Sequence, residues 1–122
     1  MNGFDPAVIP HLLAVARVTT ESIAFVFLDS AGATLGLHHI PSTRFSSVDV
    51  PLRMVVALAL AHNSHAIVMA HNHPSGDPTP SEADLSMTKE IQKGCKYLGL
   101  TLHDHIIVGA GTELSLRALG KL

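Results

Sequence analysis

Short apolar runs separated by polar turns define the predicted elements in the first part of the chain. The run 23–28 (IAFVFL) is rich in strand-forming residues, and a turn at 29–32 separates it from a second run at 33–40. Two such runs joined by a short turn predict a β-hairpin. An apolar stretch at 8–18 predicts a helix before the hairpin, and the polar segment 41–51, with a proline at each end, predicts a loop after it.

The middle of the chain predicts a buried helix followed by a short strand. Residues 52–62 (LRMVVALALAH) are apolar on nearly every face, and they are followed by Asn63, which tolerates a left-handed backbone and is a good helix stop. The segment 65–70 (HAIVMA) has the length and composition of a strand. It leads into 71–80 (HNHPSGDPTP), whose prolines and glycine predict a rigid polar loop.

A second helix is predicted after this loop. Thr79 is the expected N-cap, with Pro80 at the first helical position and Glu82 completing a capping box. Gly99 is the expected end of the helix. Apolar residues recur at spacings of four, four and three, and they predict the buried face of the helix: Met87, Ile91, Cys95 and Leu98.

Two further strands, at 101–108 and 112–119, are predicted on either side of a turn at 109–111. The element order is therefore helix, hairpin, helix, strand, helix, hairpin. Helices interleaved with strands in this order predict an α/β sandwich around a mixed sheet. We expect one domain that comprises residues 1–122.

Composition supports a small globular domain. Of 122 residues, 47% are apolar and 15% are charged, and the net charge is −2. No apolar run reaches the roughly 18 residues that a membrane span needs, and no secretory signal is evident at the N-terminus. We therefore expect a cytoplasmic protein with no membrane partner. The single cysteine, Cys95, is expected to be a reduced thiol in the core.

The distribution of charge argues against a nucleic-acid platform. The eight lysines and arginines are scattered along the chain, and aromatic residues make up only 4% of it. Binding to DNA or RNA needs clustered cations or stacking platforms, so nucleic acid is not expected as a partner of this domain alone. Histidine is abundant instead, with nine residues.

Two of the histidines have the spacing of metal ligands. His71 and His73 follow a predicted strand, and side chains two residues apart in an extended chain lie on the same face. Asp84 lies one turn before the apolar stripe of the next helix, so it is expected to point inward near the helix N-terminus. Two histidines and one aspartate are a ligand set of the catalytic zinc type, with a fourth position free for water.

Ser81 and a proton acceptor complete the candidate chemistry. Ser81 precedes Asp84 by three residues, which also fits a capping box of the Ser-x-x-acid type. Because Thr79 and Pro80 already supply a cap, we interpret Ser81 and Asp84 as functional. A hydrolase also needs a general base. Four residues are candidates on their chemistry alone, and the sequence pattern does not separate them: Glu21, Asp77, Asp104 and His105.

The string HNHPSGDPTPSEAD resembles the RadC family of JAB/MPN domains, which carry the JAMM metalloprotease motif. That motif is an upstream glutamate, then His-x-His, seven residues, Ser, two residues and Asp. The segment 71–84 has this spacing in full, and the later segment 104–109 (DHIIVG) is also similar to RadC. Glu21, seven residues before Leu28-Asp29, stands where the family has its motif glutamate.

This resemblance implies a fold, a site and a reaction. The fold would be a three-layer-like α/β sandwich around a mixed, mainly antiparallel sheet, similar to that of cytidine deaminases. His71, His73 and Asp84 would bind one Zn²⁺, Glu21 would act as the general base, and Ser81 would stabilise the oxyanion. JAB/MPN relatives cleave peptide or isopeptide bonds, so the implied substrate is a peptide or protein of unknown identity.

The chain departs from the family pattern in two ways. RadC proteins commonly carry an N-terminal helix-hairpin-helix region associated with DNA, and we expect none here. The segments Pro41-Ser42-Thr43 and Arg53-Met54 also differ from the family pattern, which affects expected substrate contacts rather than the metal site. Asp104 and His105 are expected near the site, either orienting a ligand or making an ordinary buried hydrogen bond.

Two alternatives to a hydrolase remain open at this stage. The family's name suggests a DNA-repair-associated module, although the composition gives it no support. A metal-free MPN scaffold that mediates protein interactions is the other, and such scaffolds have lost ligands that this sequence retains. A zinc deaminase is excluded, because it needs a pair of cysteines and the chain has one.

Overall fold

The computed structural model describes residues 21–41 and 52–122. Within them it contains five strands and two helices, which are, in chain order, β1 (Ser22–Leu28), β2 (Thr34–Pro41), α1 (Leu52–Ala61), β3 (Ala66–Asn72), α2 (Glu82–Tyr97), β4 (Thr101–Gly109) and β5 (Thr112–Ser115). The helix predicted over 8–18 and the part of the predicted loop that follows Pro41 lie outside the described residues.

The strands form one mixed sheet in the order β2-β1-β3-β4-β5. The pairs β1/β2, β1/β3 and β4/β5 are antiparallel, and only β3/β4 is parallel. The chain crosses from β3 to β4 through α2, as a parallel pair requires. The α/β class and the mixed, mainly antiparallel sheet predicted from the sequence are confirmed.

The core lies between one face of the sheet and the two helices. Every residue of β1 is buried, as expected of a continuous apolar run in an interior strand. Alternate residues of β1 and β3 join the inner faces of α1 and α2 in one cluster that includes Phe25, Phe27, Met69, Val55, Ala59, Ile91 and Cys95. The opposite face of the sheet is also buried, with Val26, Val68 and Ile106 among its residues.

Helix boundaries follow the local sequence signals closely at α1. The helix ends at Ala61, and Asn63 adopts φ +52°, so its predicted role as a left-handed stop is confirmed. Neither α1 nor α2, the helices described by the structure, is long and apolar enough to span a bilayer.

The predicted last strand is shorter than expected. The sequence predicts a strand at 112–119, but β5 ends at Ser115. The buried carboxylate of Asp104 accepts hydrogen bonds from the Ser115 hydroxyl at 2.5 Å and from the Arg117 backbone N–H at 3.1 Å. These bonds turn the chain away from the sheet edge, so the apolar residues after Ser115 do not continue the strand.

Candidate metal centre

The two histidines of the His-x-His segment lie at the end of β3. This strand continues two residues further than predicted, to Asn72, so His71 is still part of the sheet. His71 is opposite Ile23 of β1 and is 1% exposed, on the same face as the helices. His73 lies one residue beyond the end of β3, and its backbone N–H donates to Val108 O of β4 at 2.8 Å. The two imidazole rings meet edge to face at 4.9 Å.

Asp84 reaches these rings from the first turn of α2. Its carboxylate is 1% exposed, with Oδ1 3.5 Å from His71 Nδ1 and Oδ2 3.0 Å from His73 Nε2. The inward orientation predicted from the helical spacing therefore occurs in the structure.

The start of α2 corrects the predicted cap. Ser81, rather than Thr79, is the N-cap, because its hydroxyl accepts from the Asp84 N–H at 3.0 Å and its own N–H donates to Asp84 Oδ2 at 2.9 Å. Thr79 is held in the preceding turn instead, because its backbone N–H and its hydroxyl both donate to Asp77 Oδ1, at 3.0 and 2.7 Å. Ser81 and Asp84 thus form a capping box, and the expectation that they were free of capping was wrong.

Glu21 lies where the start of β1 pairs with the end of β3. It immediately precedes β1, and its Oε1 is 2.5 Å from His71 Nε2. A carboxylate only accepts hydrogen bonds, so Nε2 is the donor. The Glu21 side chain is 41% exposed, whereas His71 is buried, so the carboxylate bridges the buried cluster and solvent.

The hydrogen bonds fix which nitrogen of each ring faces Asp84. His73 Nδ1 donates to the backbone oxygen of Asp77 at 2.9 Å, since a carbonyl only accepts. In the neutral rings, His73 Nε2 and His71 Nδ1 therefore carry lone pairs, and both are directed at the Asp84 carboxylate. His71 Nδ1 is buried without a hydrogen-bond partner. A cation between these atoms would satisfy all of them at once.

His71, His73 and Asp84 fit a metal ion on this basis. Each residue offers one ligand atom, and the three atoms lie within 4.8 Å of one another. The donor set of two imidazole nitrogens and one carboxylate oxygen is one that zinc accepts. The described residues therefore contain a possible metal-binding cluster.

Asp84 is held in the anionic form that metal binding needs. Burial on its own would raise the pKa of Asp84, but the hydrogen bonds with Ser81 and the positive charge that His71 and His73 carry when protonated outweigh burial and lower the pKa. The position of the carboxylate at the N-terminal turn of α2 adds to this stabilisation, because the helix dipole favours negative charge there.

An open pocket of about 340 Å³ adjoins the cluster. It is lined by Glu21, His73, Pro74, Ser75, Ser81 and Asp84. The pocket thus brings the candidate base and the candidate oxyanion donor to the same opening as two of the metal ligands.

The other candidate bases are placed elsewhere. Asp77 contributes its backbone oxygen to His73, while its carboxylate accepts from Thr79. The carboxylate of Asp104 joins β4 to the residues after β5 and does not face the cluster. His105 is fully buried behind His71, with the ring centroids 5.9 Å apart.

Two supporting residues were not predicted from the sequence. Asn72 lies between the two histidines, and its Oδ1 accepts from the backbone N–H of Ser22 at 2.6 Å, next to Glu21. Thr88 lies one turn after Asp84 and contacts His105 at 2.7 Å. The spacing of four between Asp84 and Thr88 was a usable signal for the second residue, since it places both on one helix face.

Comparison with known proteins gives a family match and curated relatives. A family model described as the RadC-like JAB domain matches residues 6–121. A UPF0758 protein of Rhodobacter capsulatus is 43% identical over 109 residues, which are 89% of this chain and 51% of that protein. A UPF0758 protein of Ruegeria pomeroyi is 43% identical over 108 residues, 88% of this chain and 48% of that protein. The chain spans about half the length of these curated relatives.

Proposed function

The chain belongs to the RadC family of JAB domains, and we propose that it is a zinc-dependent hydrolase of peptide or isopeptide bonds. The observation that carries the proposal is the convergence of two imidazole lone pairs on a buried carboxylate, at the edge of an open pocket. His71, His73 and Asp84 would hold the zinc ion.

The ligand set favours zinc over magnesium and calcium. Imidazole nitrogen suits zinc and other transition metals, whereas magnesium and calcium prefer sites made of oxygen ligands. Three protein ligands leave a position open, as in catalytic rather than structural zinc sites. When bound, zinc supplies Lewis acidity, which lowers the pKa of a coordinated water toward ~7 and polarises a carbonyl.

Glu21 is proposed as the residue that accepts a proton. Its carboxylate has two oxygens, and His71 engages one of them. The side chain lines the pocket and is partly exposed, so it can take a proton from attacking water and pass it to the leaving amine. Its bond to His71 Nε2 also orients that ring, since a carboxylate on the far nitrogen fixes the tautomer of a metal-binding histidine.

Ser81 is proposed to stabilise the oxyanion. In the capping box its hydroxyl oxygen accepts from the Asp84 N–H, which leaves the hydroxyl hydrogen for a second partner. Ser81 lines the pocket, so that hydrogen can be directed toward an amide oxygen bound there. The capping bond does not compete with this role. The capping bond instead fixes the position of the Ser81 side chain, so the hydroxyl is already placed to donate to the oxyanion.

The test of this proposal separates metal binding from catalysis. The zinc-loaded chain is incubated with a mixed peptide library and with peptides that carry a branch on a lysine Nζ, and cleavage is followed by mass spectrometry. We expect cleavage by the unchanged chain and a rate about 10²–10⁴-fold lower for Glu21→Gln, which removes the proton acceptor. Zinc content is expected to remain.

Glu82→Gln is the matched control. Glu82 is an exposed glutamate in the first turn of α2, and it does not line the pocket. Its variant is expected to cleave at the rate of the unchanged chain. If the zinc-loaded chain cleaves no library member, or if Glu21→Gln cleaves as fast as Glu82→Gln, the proposal is wrong. Stoichiometric zinc without cleavage would favour a non-catalytic interaction module.

A further inference from the structure

One buried side chain near the cluster has no place in the proposed reaction. Among the described residues, two buried side-chain nitrogens lack a hydrogen-bond partner, His71 Nδ1 and His105 Nε2. The first faces Asp84 and is accounted for by the metal site. The second belongs to a histidine on β4 that is completely buried. Burying a polar nitrogen without a partner costs folding free energy. The presence of a histidine here therefore indicates a role that an apolar residue could not fill.

The other nitrogen of His105 is tied to the helix that carries Asp84. The Thr88 hydroxyl has one hydrogen, and it donates this to the Asp84 backbone oxygen at 2.7 Å. The same hydroxyl oxygen is 2.7 Å from His105 Nδ1, where it must accept. Nδ1 therefore carries the hydrogen. Burial lowers the pKa of His105 to about 3, so the ring is neutral at ordinary pH.

His105 also contacts the other metal ligand. Its ring stacks on His71 with centroids 5.9 Å apart and an interplanar angle of 30°. The strand β4 lies next to β3, with His105 opposite Met69. One imidazole thus packs against the His71 ring on the sheet and, through Thr88, holds the helical turn that begins with Asp84.

We propose that Thr88 and His105 are a coupled pair of positioning residues that hold Asp84 and His71 at metal-binding separation. This inference rests on the metal site of the proposed function. A threonine bonded only to the carbonyl four residues earlier is common in helices and has no effect on a neighbouring strand. The additional bond to His105 joins helix and sheet at the level of the cluster, where the His71 to Asp84 separation of 3.5 Å is set.

The pair is tested by zinc affinity in the full chain, measured by competition with a chelator. Thr88→Val keeps the shape of the side chain and removes the hydroxyl, and it is expected to weaken zinc binding about tenfold or more, as loss of a ligand-orienting residue does. Thr88→Ser keeps the hydroxyl and is expected to bind within about twofold of the unchanged chain. A cooperative unfolding transition in urea, measured for each metal-free variant, establishes that the variant is folded.

A double variant protects the test against misfolding. Thr88→Val together with His105→Leu removes both partners, so no donor is left buried and unpaired, and the fold is expected to tolerate it better than Thr88→Val alone. His105→Leu alone is measured as well. The zinc affinity of the double variant is expected to be no weaker than that of the weaker-binding single variant, because both changes remove the same link. A purely structural bond would lower the urea midpoint of Thr88→Val and leave zinc affinity unchanged.

The possible outcomes distinguish this inference from the proposed function. Zinc affinity in folded Thr88→Val equal to that of the unchanged chain overturns the positioning role and leaves the hydrolase proposal intact. Zinc binding with the expected variant pattern but without peptide cleavage supports the positioning role and overturns the hydrolase. An unchanged chain that binds no zinc overturns both.

Discussion

The substitution Gly109→Ala adds a single methyl group, and we expect it to disturb the metal centre. Gly109 ends β4, and it lies against Gly76 in the loop between His73 and Asp77. A Cβ atom added there would lie 2.3 Å from the Gly76 backbone oxygen and 3.0 Å from Pro78 Cδ. Its φ is not in the left-handed region, so alanine at this position is disfavoured by the contact with Gly76 and not by backbone strain.

The size of the disturbance follows from these distances. A Cβ atom rarely approaches another atom within 3.0 Å, so the Gly76 backbone must retreat by at least about 0.7 Å. Gly76 is part of the turn that begins at His73, because its N–H donates to His73 O at 2.9 Å. We expect Gly109→Ala to lose about 1–3 kcal/mol of unfolding free energy through overpacking. Zinc affinity is expected to fall about tenfold or more.

The assay is a chelator competition for zinc, with urea unfolding of the metal-free protein in parallel. Gly36→Ala is the matched control, since Gly36 is also a strand glycine whose added Cβ would meet another atom at under 3.0 Å. There the atom belongs to the exposed side chain of His62, which can move. Gly36→Ala is expected to bind zinc as the unchanged chain does. Equal zinc affinity in Gly109→Ala and Gly36→Ala would refute the reasoning.

Three further predictions concern other residues. Asn72→Ala is expected to slow peptide cleavage with zinc retained, because it removes the acceptor that holds the Ser22 backbone N–H beside Glu21. Asn72→Asp keeps an acceptor and is expected to cleave faster than Asn72→Ala, so equal rates of the two variants in kinetic assays would contradict this. Burial depresses the His105 pKa to about 3, against about 6.5 when unfolded, so the metal-free chain should lose stability as pH falls from 6.5 toward 3, and His105→Leu should flatten that urea profile. Burial raises the pKa of Cys95 to about 11, so alkylation by iodoacetamide at pH 8 should require unfolding, and prompt reaction of the folded chain would disprove its burial.

The metal cluster was largely predictable because its geometry is local. An i, i+2 pair at a strand end shares a face, and an aspartate one turn before an apolar stripe points inward, so the spacing of His71, His73 and Asp84 predicts their approach. Glu21 was different. Its contact with His71 depends on the antiparallel register of β1 and β3, with Ile23 opposite His71, which no local pattern encodes. Only resemblance to the family separated Glu21 from the other candidate bases.

The start of α2 shows where local patterns compete. Both Thr79-x-x-Glu82 and Ser81-x-x-Asp84 satisfy the spacing of a capping box or come close to it, and proline after Thr79 favoured the earlier start. The outcome was decided by Asp77, whose carboxylate captures the N–H and the hydroxyl of Thr79. Because these bonds form a tight turn, the helix begins at Glu82 and not at Pro80.

Contacts between distant elements account for what the sequence did not predict. Thr88 and His105 are 17 residues apart, and they meet only because β4 pairs in parallel with β3 beneath α2. The shortened β5 has a similar origin, since the Asp104 carboxylate on β4 captures the Ser115 hydroxyl. Hydrophobic periodicity predicts which face of an element is buried, but it does not specify which polar partners then meet there.

Zinc content of the purified full chain tests the central claim most directly. Mass spectrometry of metals should give about one zinc per chain for the unchanged protein and for His39→Ala, which removes an exposed histidine of β2. His71→Ala and Asp84→Ala should each lose it, since each removes one of three ligands. Zinc retained equally in all four proteins, or absent from the unchanged chain after zinc loading, would contradict the account.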